Sequence, residues 1–291
     1  MMSGKPVVAG LGELLWDLLP TGRQLGGAPC NFAYHAQQAG CESYMVSAIG
    51  KDTMGDELLR TIGRLGLSGR YIQRNDHPTG SVSVAIDKDG HPAYTIHEQV
   101  AWDHLQWTGE AGNLASTLDA VCFGSLAQRN QTTQQFMTQF LSSLKPGCLK
   151  VFDINLRQHY YTNSIIESSL RLADVLKLNE DELPVVCNHL GIEGDLESRL
   201  KQLLSRAGLD YVIYTMGSQG SIIAGNDEYF IAGAPKVSVL DSVGAGDAFT
   251  AVFTAGQLMG KSLKETHIQA AEVAAYVCTQ KGATPRTDHL Y

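Results

Sequence analysis

Short apolar runs alternate along this chain with longer segments whose apolar residues recur every three or four positions. Pro6–Leu11 reads as a buried strand, and Tyr44–Ile49, Ala120–Phe123, Lys150–Asp153, Val175–Leu178 and Tyr211–Tyr214 read the same way. Between them lie helical patterns. Asn31–Ala39 is a short one ended by Gly40, and Asp52–Leu65 puts Met54, Leu58, Ile62 and Leu65 on one face. Gln131–Leu144, Ser164–Leu172 and Leu196–Ala207 complete the set, and an apolar segment from Ala248 to Met259 follows a glycine turn. Strand and helix in regular alternation predict an α/β fold, a mostly parallel central sheet with helices on both faces.

One segment breaks this rhythm. Ser81–Ile86 has apolar residues at alternate positions, Asp87-Lys88-Asp89-Gly90 supplies turn chemistry, and Tyr94–Ile96 returns. With the stretch Leu14–Arg23 it predicts a small β-sheet lid, built from about residues 13–25 and 79–100 and inserted in a single domain spanning 1–291. The alternative is a plain hairpin on a sheet edge.

Composition narrows the field. In 291 residues, 44% are hydrophobic and 18% charged, enough for a large core and against disorder. The net charge of −8 argues against nucleic acid or an anionic membrane as a main partner. Six cysteines are scattered without a Cys-x-x-Cys pair, and read as buried free thiols in a reducing compartment. No charged-then-apolar leader and no run of bilayer length is seen, so a cytoplasmic protein is expected. Histidines lack ligand spacing, and neither an acyl-transfer elbow nor a P-loop is present. The first strand also lacks the third glycine of a dinucleotide fingerprint, against an oxidoreductase.

The most informative string is Asp241-Ser242-Val243-Gly244-Ala245-Gly246-Asp247-Ala248-Phe249. Small residues before a helix leave free amides at the positive end of its dipole, a ready anion site. A carboxylate placed there makes sense if Asp247 must take a proton from a hydroxyl attacking phosphorus. The plainer alternative is Asp247 as a helix N-cap. A second string, Gly26-Gly27-Ala28-Pro29-Cys30-Asn31, lets backbone approach a ligand and offers an amide to sugar hydroxyls. Its alternative is a helix start capped by Asn31.

In order, these two strings resemble the signatures of the ribokinase-like, PfkB carbohydrate kinases, and the Gly-Gly-Ala-Pro form is similar to that of fructokinases. The resemblance runs from Gly10 to Pro285. It implies that Asp247 is the catalytic base and that the amides of Gly244, Ala245, Gly246 and Asp247 hold the transferring phosphoryl. It implies a sugar-binding role for Asp17, with Glu13 as rival, and for Gly26, Gly27 and Asn31. Asp153-Ile154-Asn155-Leu156-Arg157 resembles a family strand end, which makes Arg157 the basic group near phosphate; the alternative is a structural ion pair. Asn179 and Glu182 fit Asn-x-x-Glu, implying a nucleotide contact and Mg²⁺ ordered through water. Thr215, Gly217, Gly220 and Gly282 match nucleotide-side turns, and carbonyls near Asp241 and after Lys281 would hold a monovalent cation such as K⁺. The reaction implied is γ-phosphoryl transfer from ATP, with Mg²⁺, to a sugar hydroxyl, fructose before ribose, 2-keto-3-deoxygluconate, a nucleoside or a sugar phosphate. A catalytically silent sugar-binding relative is the other class. A homodimer formed through the lid is the implied assembly.

Overall fold

A computed structural model describes residues 4–86 and 92–291. Strand β1 (Val7–Leu11) opens the chain and is followed by two short strands, β2 (Leu15–Leu19) and β3 (Gly22–Gly26), then helix α1 (Ala28–Gln38). Strand β4 (Glu42–Gly50), helix α2 (Thr53–Arg64) and strand β5 (Ile72–Asn75) come next, then β6 (Gly80–Ile86) and β7 (Pro92–Ile96). The α/β repeat continues with α3 (Gly109–Ala115), β8 (Ala120–Phe123), α4 (Gln131–Ser142), β9 (Leu149–Asp153), α5 (Asn163–Leu172) and β10 (Val175–Asn179). The chain closes with α6 (Glu182–Leu190), α7 (Leu196–Ala207), β11 (Tyr211–Thr215), β12 (Ser221–Gly225), β13 (Tyr229–Ala232), α8 (Ala245–Leu258) and α9 (Leu263–Cys278).

The large sheet runs β13-β12-β11-β10-β9-β8-β1-β4-β5. It is parallel except at one edge, where β12 is antiparallel to both β11 and β13. Period-two alternation sorts its side chains onto two cores. Ala9, Val121, Phe152, Leu176 and Val212 pack with α3 to α7. Their neighbours Val8, Cys122, Val151, Val175 and Ile213 pack with α1, α8 and α9. A strand buried on both faces is apolar throughout, which is why these runs stand out in the sequence.

The alternating segment forms a separate four-stranded sheet, ordered β3-β2-β6-β7, rather than an edge hairpin of the large one. Strand β2 is antiparallel to β3 and parallel to β6, and β6 is antiparallel to β7. The expected turn at 87–90 lies outside the described residues. Among the described residues no helix is long and apolar enough to cross a membrane. Five cysteines are buried free thiols as expected, whereas Cys278, at the end of α9, is only half-buried.

Two capping alternatives are corrected. Helix α1 starts three residues before Asn31, with Gly27 as N-cap at φ 110°, a conformation closed to most side chains. Helix α8 is capped by Gly244 at φ 81°, which leaves Asp247 inside the first turn. Both side chains therefore sit on helices, not at their caps.

Candidate active site

Parallel strands put their carboxyl ends on one side of the sheet, and the residues singled out above gather there. Asp153 ends β9, Asn179 ends β10 and Thr215 ends β11, in the register Lys177 beside Asp153 and Asn179 beside Thr215. The start of α8 comes to the same edge. Gly244 presses so closely on the C-terminal loop that a Cβ there would lie 2.6 Å from the carbonyl oxygen of Ala283. Of the expected anion-binding amides, that of Ala245 already makes a long turn bond, 3.3 Å, to the carbonyl of Ser242.

Asp247 is buried, and Asn31 Nδ2 donates to its Oδ2 at 2.8 Å. That bond joins the two signature strings across the fold. Burial pushes the Asp247 carboxyl up to about 6, with the charge of Asp153 adding to the effect; Asn31, Lys177 and Arg157 oppose it. Asp247 is thus a carboxylate at neutral pH, but a more basic one than an exposed aspartate, as a general base should be.

Behind the turn lies a pair that the sequence reading does not assign. Lys177 and Asp153 occupy the side of their strands that faces α8, are both nearly buried, and approach to 3.1 Å. Thr250 of α8 donates to the other Asp153 oxygen at 2.9 Å. A Cβ on Gly246 would lie 2.9 Å from Lys177 Nζ, so the ammonium underlies the glycine turn. Despite burial, the Lys177 pKa is raised, because Asp153, Glu182 and Asp247 all surround it. A lysine inside the apolar run Val175–Leu178 is the signal that could have found it, since a buried cation requires a partner.

Asn179 and Glu182 cap α6 reciprocally. Asn179 Oδ1 accepts from the amides of Asp181 and Glu182 at 2.9 and 3.0 Å. The Glu182 oxygens accept from the amides of Asn179 and Leu156 at 2.9 and 3.0 Å. Thr215, Gly217 and Gly220 form the hairpin turn from β11 to β12, closed by the Met216 amide bonding the Gly220 carbonyl at 2.8 Å. Asp241 bridges two loops, accepting from Val243 N at 3.0 Å and from Gly282 N at 3.1 Å. Among the described residues, no group of three His, Cys, Asp or Glu gathers to hold a metal ion.

At the other end, Asp17 lies on β2 of the small sheet, its Oδ2 against Gly26, where a Cβ would collide with it. Burial raises its carboxyl to about 6. Glu13 is more deeply buried, and burial raises it to about 7. Arg157 is exposed, and its charge lowers the pKa of Asp17, Glu13 and Asp247 alike. Glu13 Oε2 and Asn31 Oδ1 are buried acceptors without a hydrogen-bond partner among the described residues. Arg23 is turned to Glu57 at 2.6 Å. His35, one turn after Asn31 on α1, bonds through Nε2 to the carbonyl of Ala283 at 2.9 Å, and burial lowers its pKa to about 4, leaving it neutral.

Fold and site together define a sugar kinase of the ribokinase-like class, with a glycine turn and buried aspartate at the carboxyl edge of a mostly parallel sheet. The chain belongs to the pfkB family of carbohydrate kinases, whose model matches residues 20–289. It is similar to an uncharacterised sugar kinase of Pyrococcus horikoshii, 26% identical over 98% of this chain and 94% of the relative. It is also 26% identical to an ATP-dependent 6-phosphofructokinase of Thermoanaerobacterium thermosaccharolyticum, covering 94% of this chain and 88% of the relative. The same identity relates it to a fructokinase of Escherichia coli, over 94% of this chain and 93% of that one. The crystal structure of the Pyrococcus kinase superposes with TM-score 0.83 at 25% identity, covering 98% of this chain and 96% of the other. That of a Xylella fastidiosa fructokinase with bound ATP superposes with TM-score 0.85 at 20% identity, covering 97% and 94%.

Proposed function

We propose that this ATP-dependent sugar kinase phosphorylates fructose, with Asp247 taking the proton of the attacking hydroxyl. The observation that carries the reading is the chemistry of the sugar end. Two buried acceptors, Glu13 Oε2 and Asn31 Oδ1, have no donor, and hydroxyl groups are what would satisfy them. At the same end stands the carboxylate of Asp17, which would repel a second phosphate, and Arg23 is engaged elsewhere. An uncharged polyol fits this end better than a sugar phosphate.

In the reaction we infer, Gly26, Gly27, Asn31 and Asp17 hold the sugar, and the small sheet serves as the lid that excludes water from it. The amides of Gly244 to Asp247, backed by Lys177, stabilise charge on the transferring phosphoryl, with Arg157 facing it from the other side. The turns at Asn179, Thr215, Gly217, Gly220 and Gly282 hold the nucleotide. The donor set suits Mg²⁺, which keeps most of its waters: each Glu182 oxygen accepts one amide and retains a lone pair for a metal-bound water. Mg²⁺ would neutralise phosphate charge. A K⁺ ion would lie among carbonyls of the two loops that Asp241 joins, steadying the glycine turn. A second copy would pair through the small sheet, where Tyr94 stands 55% exposed. Steady-state kinetics with saturating MgATP test the substrate: kcat/KM for fructose should far exceed that for fructose 6-phosphate. The opposite preference would overturn fructose and leave the kinase standing.

A further inference from the structure

Arg157 does not stand on a strand or helix. It is carried on the loop between β9 and α5, and that loop is held at both ends by different parts of the molecule. Its stem is fixed to the nucleotide side: Leu156 N donates to Glu182 Oε1 at 3.0 Å, and Ser125 Oγ donates to the carbonyl of Asn155 at 3.3 Å. Arg157 Nη2 itself donates to Asn155 Oδ1 at 3.0 Å. Its far end is fixed to the small sheet. Gln158 Nε2 donates to the carbonyl of Tyr94 at 2.7 Å. Tyr160 Oη lies 2.9 Å from Glu98 Oε1 and 3.1 Å from the carbonyl of Ile96, so its single proton is shared along the end of β7.

The Tyr160 ring is also held. The Arg129 guanidinium lies 4.8 Å from its centroid and 4.1 Å from that of Trp102. Arg129 is nearly buried, pairs with Asp103 through two hydrogen bonds of 2.8 and 2.9 Å, and donates to the carbonyl of His97 at 2.6 Å. The backbone between stem and far end is in an unusual state. Asn155 and Gln158, on either side of Leu156-Arg157, have φ of 43° and 49°. Non-glycine residues hold such angles only where surrounding contacts over-determine them. Here the contacts that do so come on one side from Glu182 of α6 and Ser125 after β8, and on the other from β7 and Glu98 just beyond it.

We propose that Tyr160 and Gln158 are positioning residues for phosphoryl transfer: they make strand β7 of the small sheet part of the mount that holds Arg157. A shift of β7 then displaces the guanidinium, and the arginine faces the phosphoryl path only when the small sheet is seated. The proposal rests on the reading of Arg157 given above. Tyr160 is engaged by the Ile96 carbonyl, Glu98 and the Arg129 guanidinium, so an effect on phosphoryl transfer would pass through Arg157, and that is measurable.

The experiment is a double-mutant cycle on kcat, using the sugar of highest turnover, with Tyr160→Phe and Gln158→Ala each made in the native and the Arg157→Ala background. Losing one shared hydrogen bond should lower kcat about threefold to tenfold in the native background, with less change in KM for MgATP. In the Arg157→Ala background the same substitutions should change kcat by less than about twofold. Thermal unfolding should show Tyr160→Phe folded; should it not be, exposed Gln158 supplies the cycle. Equal losses in both backgrounds, or no loss in either, overturn the proposal alone. If Arg157→Ala keeps native kcat, the role of the arginine fails first, and the proposal with it.

Discussion

The two ends of the candidate site are built on different terms. At the end that carries Asp247, the buried carboxylates have partners: Asp153 with Lys177 and Thr250, Glu182 with two backbone amides, Asp247 with Asn31. These groups stand on the carboxyl ends of long-range parallel strands and the first turn of a buried helix. At the end that carries Asp17, that residue stands on a five-residue strand of a four-stranded sheet, and Glu13 Oε2 and Asn31 Oδ1 have no partner among the described residues. Preorganised dipoles must already be aimed where transition-state charge develops, and so they are braced by the protein itself. Groups that select a substrate gain by being unsatisfied until it arrives, because a ligand lacking the matching hydroxyls leaves them so.

The largest test of this contrast is Asp247→Asn. It should lower kcat by about 10²–10⁴-fold while calorimetry still finds both substrates bound. Near-normal turnover would remove Asp247 from the base role. Asp17→Ala should act on the opposite side only, weakening sugar binding by about 10–100-fold, the worth of a charged hydrogen bond, with MgATP affinity unchanged. Equal losses for both ligands, or a loss confined to Glu13→Ala, would break the division into two ends.

A smaller effect concerns pH. Burial raises the Asp247 carboxyl to about 6, and a base works only when deprotonated. Activity should therefore be full at higher pH and lost as pH falls through about 6. Asn31 hydrogen-bonds the charged form, so Asn31→Ala should move this acid limb to higher pH. The limb is best read from kcat at saturating sugar in a Glu13→Gln background, with Asp17→Asn as a control, because burial raises both of those carboxyls into the same range. A limb that stays in place would separate the two groups that the 2.8 Å contact joins. The smallest expected effect is a several-fold loss of rate when potassium is replaced by tetramethylammonium; identical rates would dismiss the cation.

The parts of this molecule that read easily from sequence are those whose signal is local. Strand β8 and helix α7 coincide residue for residue with the pattern, because apolar runs and a 3.6-residue period are properties of short windows. The edge strand β13 escapes it, being short and partly exposed, and so does buried β12, whose antiparallel pairing with β11 and β13 is set between strands rather than within one. The longest helix, α9, carries a capping box at Ser262 and Glu265, a local sign that the apolar pattern alone passes over. In the site, the glycine turn at Gly244–Asp247 was legible. The Lys177–Asp153 pair was not, since it exists only once β9 and β10 lie side by side. The reciprocal bonds of Glu182 likewise depend on a loop 26 residues away.

Helix α1 has a consequence for when this protein becomes active. Its Asn31 bonds Asp247 across 216 residues, and four positions later His35 bonds Ala283 across 248. The Asp247 carboxylate and the loop behind the glycine turn are both fastened to an element synthesised 216 and 248 residues before them. Contacts so distant in sequence close late, and they tie assembly of the site to synthesis of the Ala283 loop. A ribosome-bound chain that stops short of Ala283 lacks the loop that packs on Gly244, so nascent fragments should be unable to spend ATP.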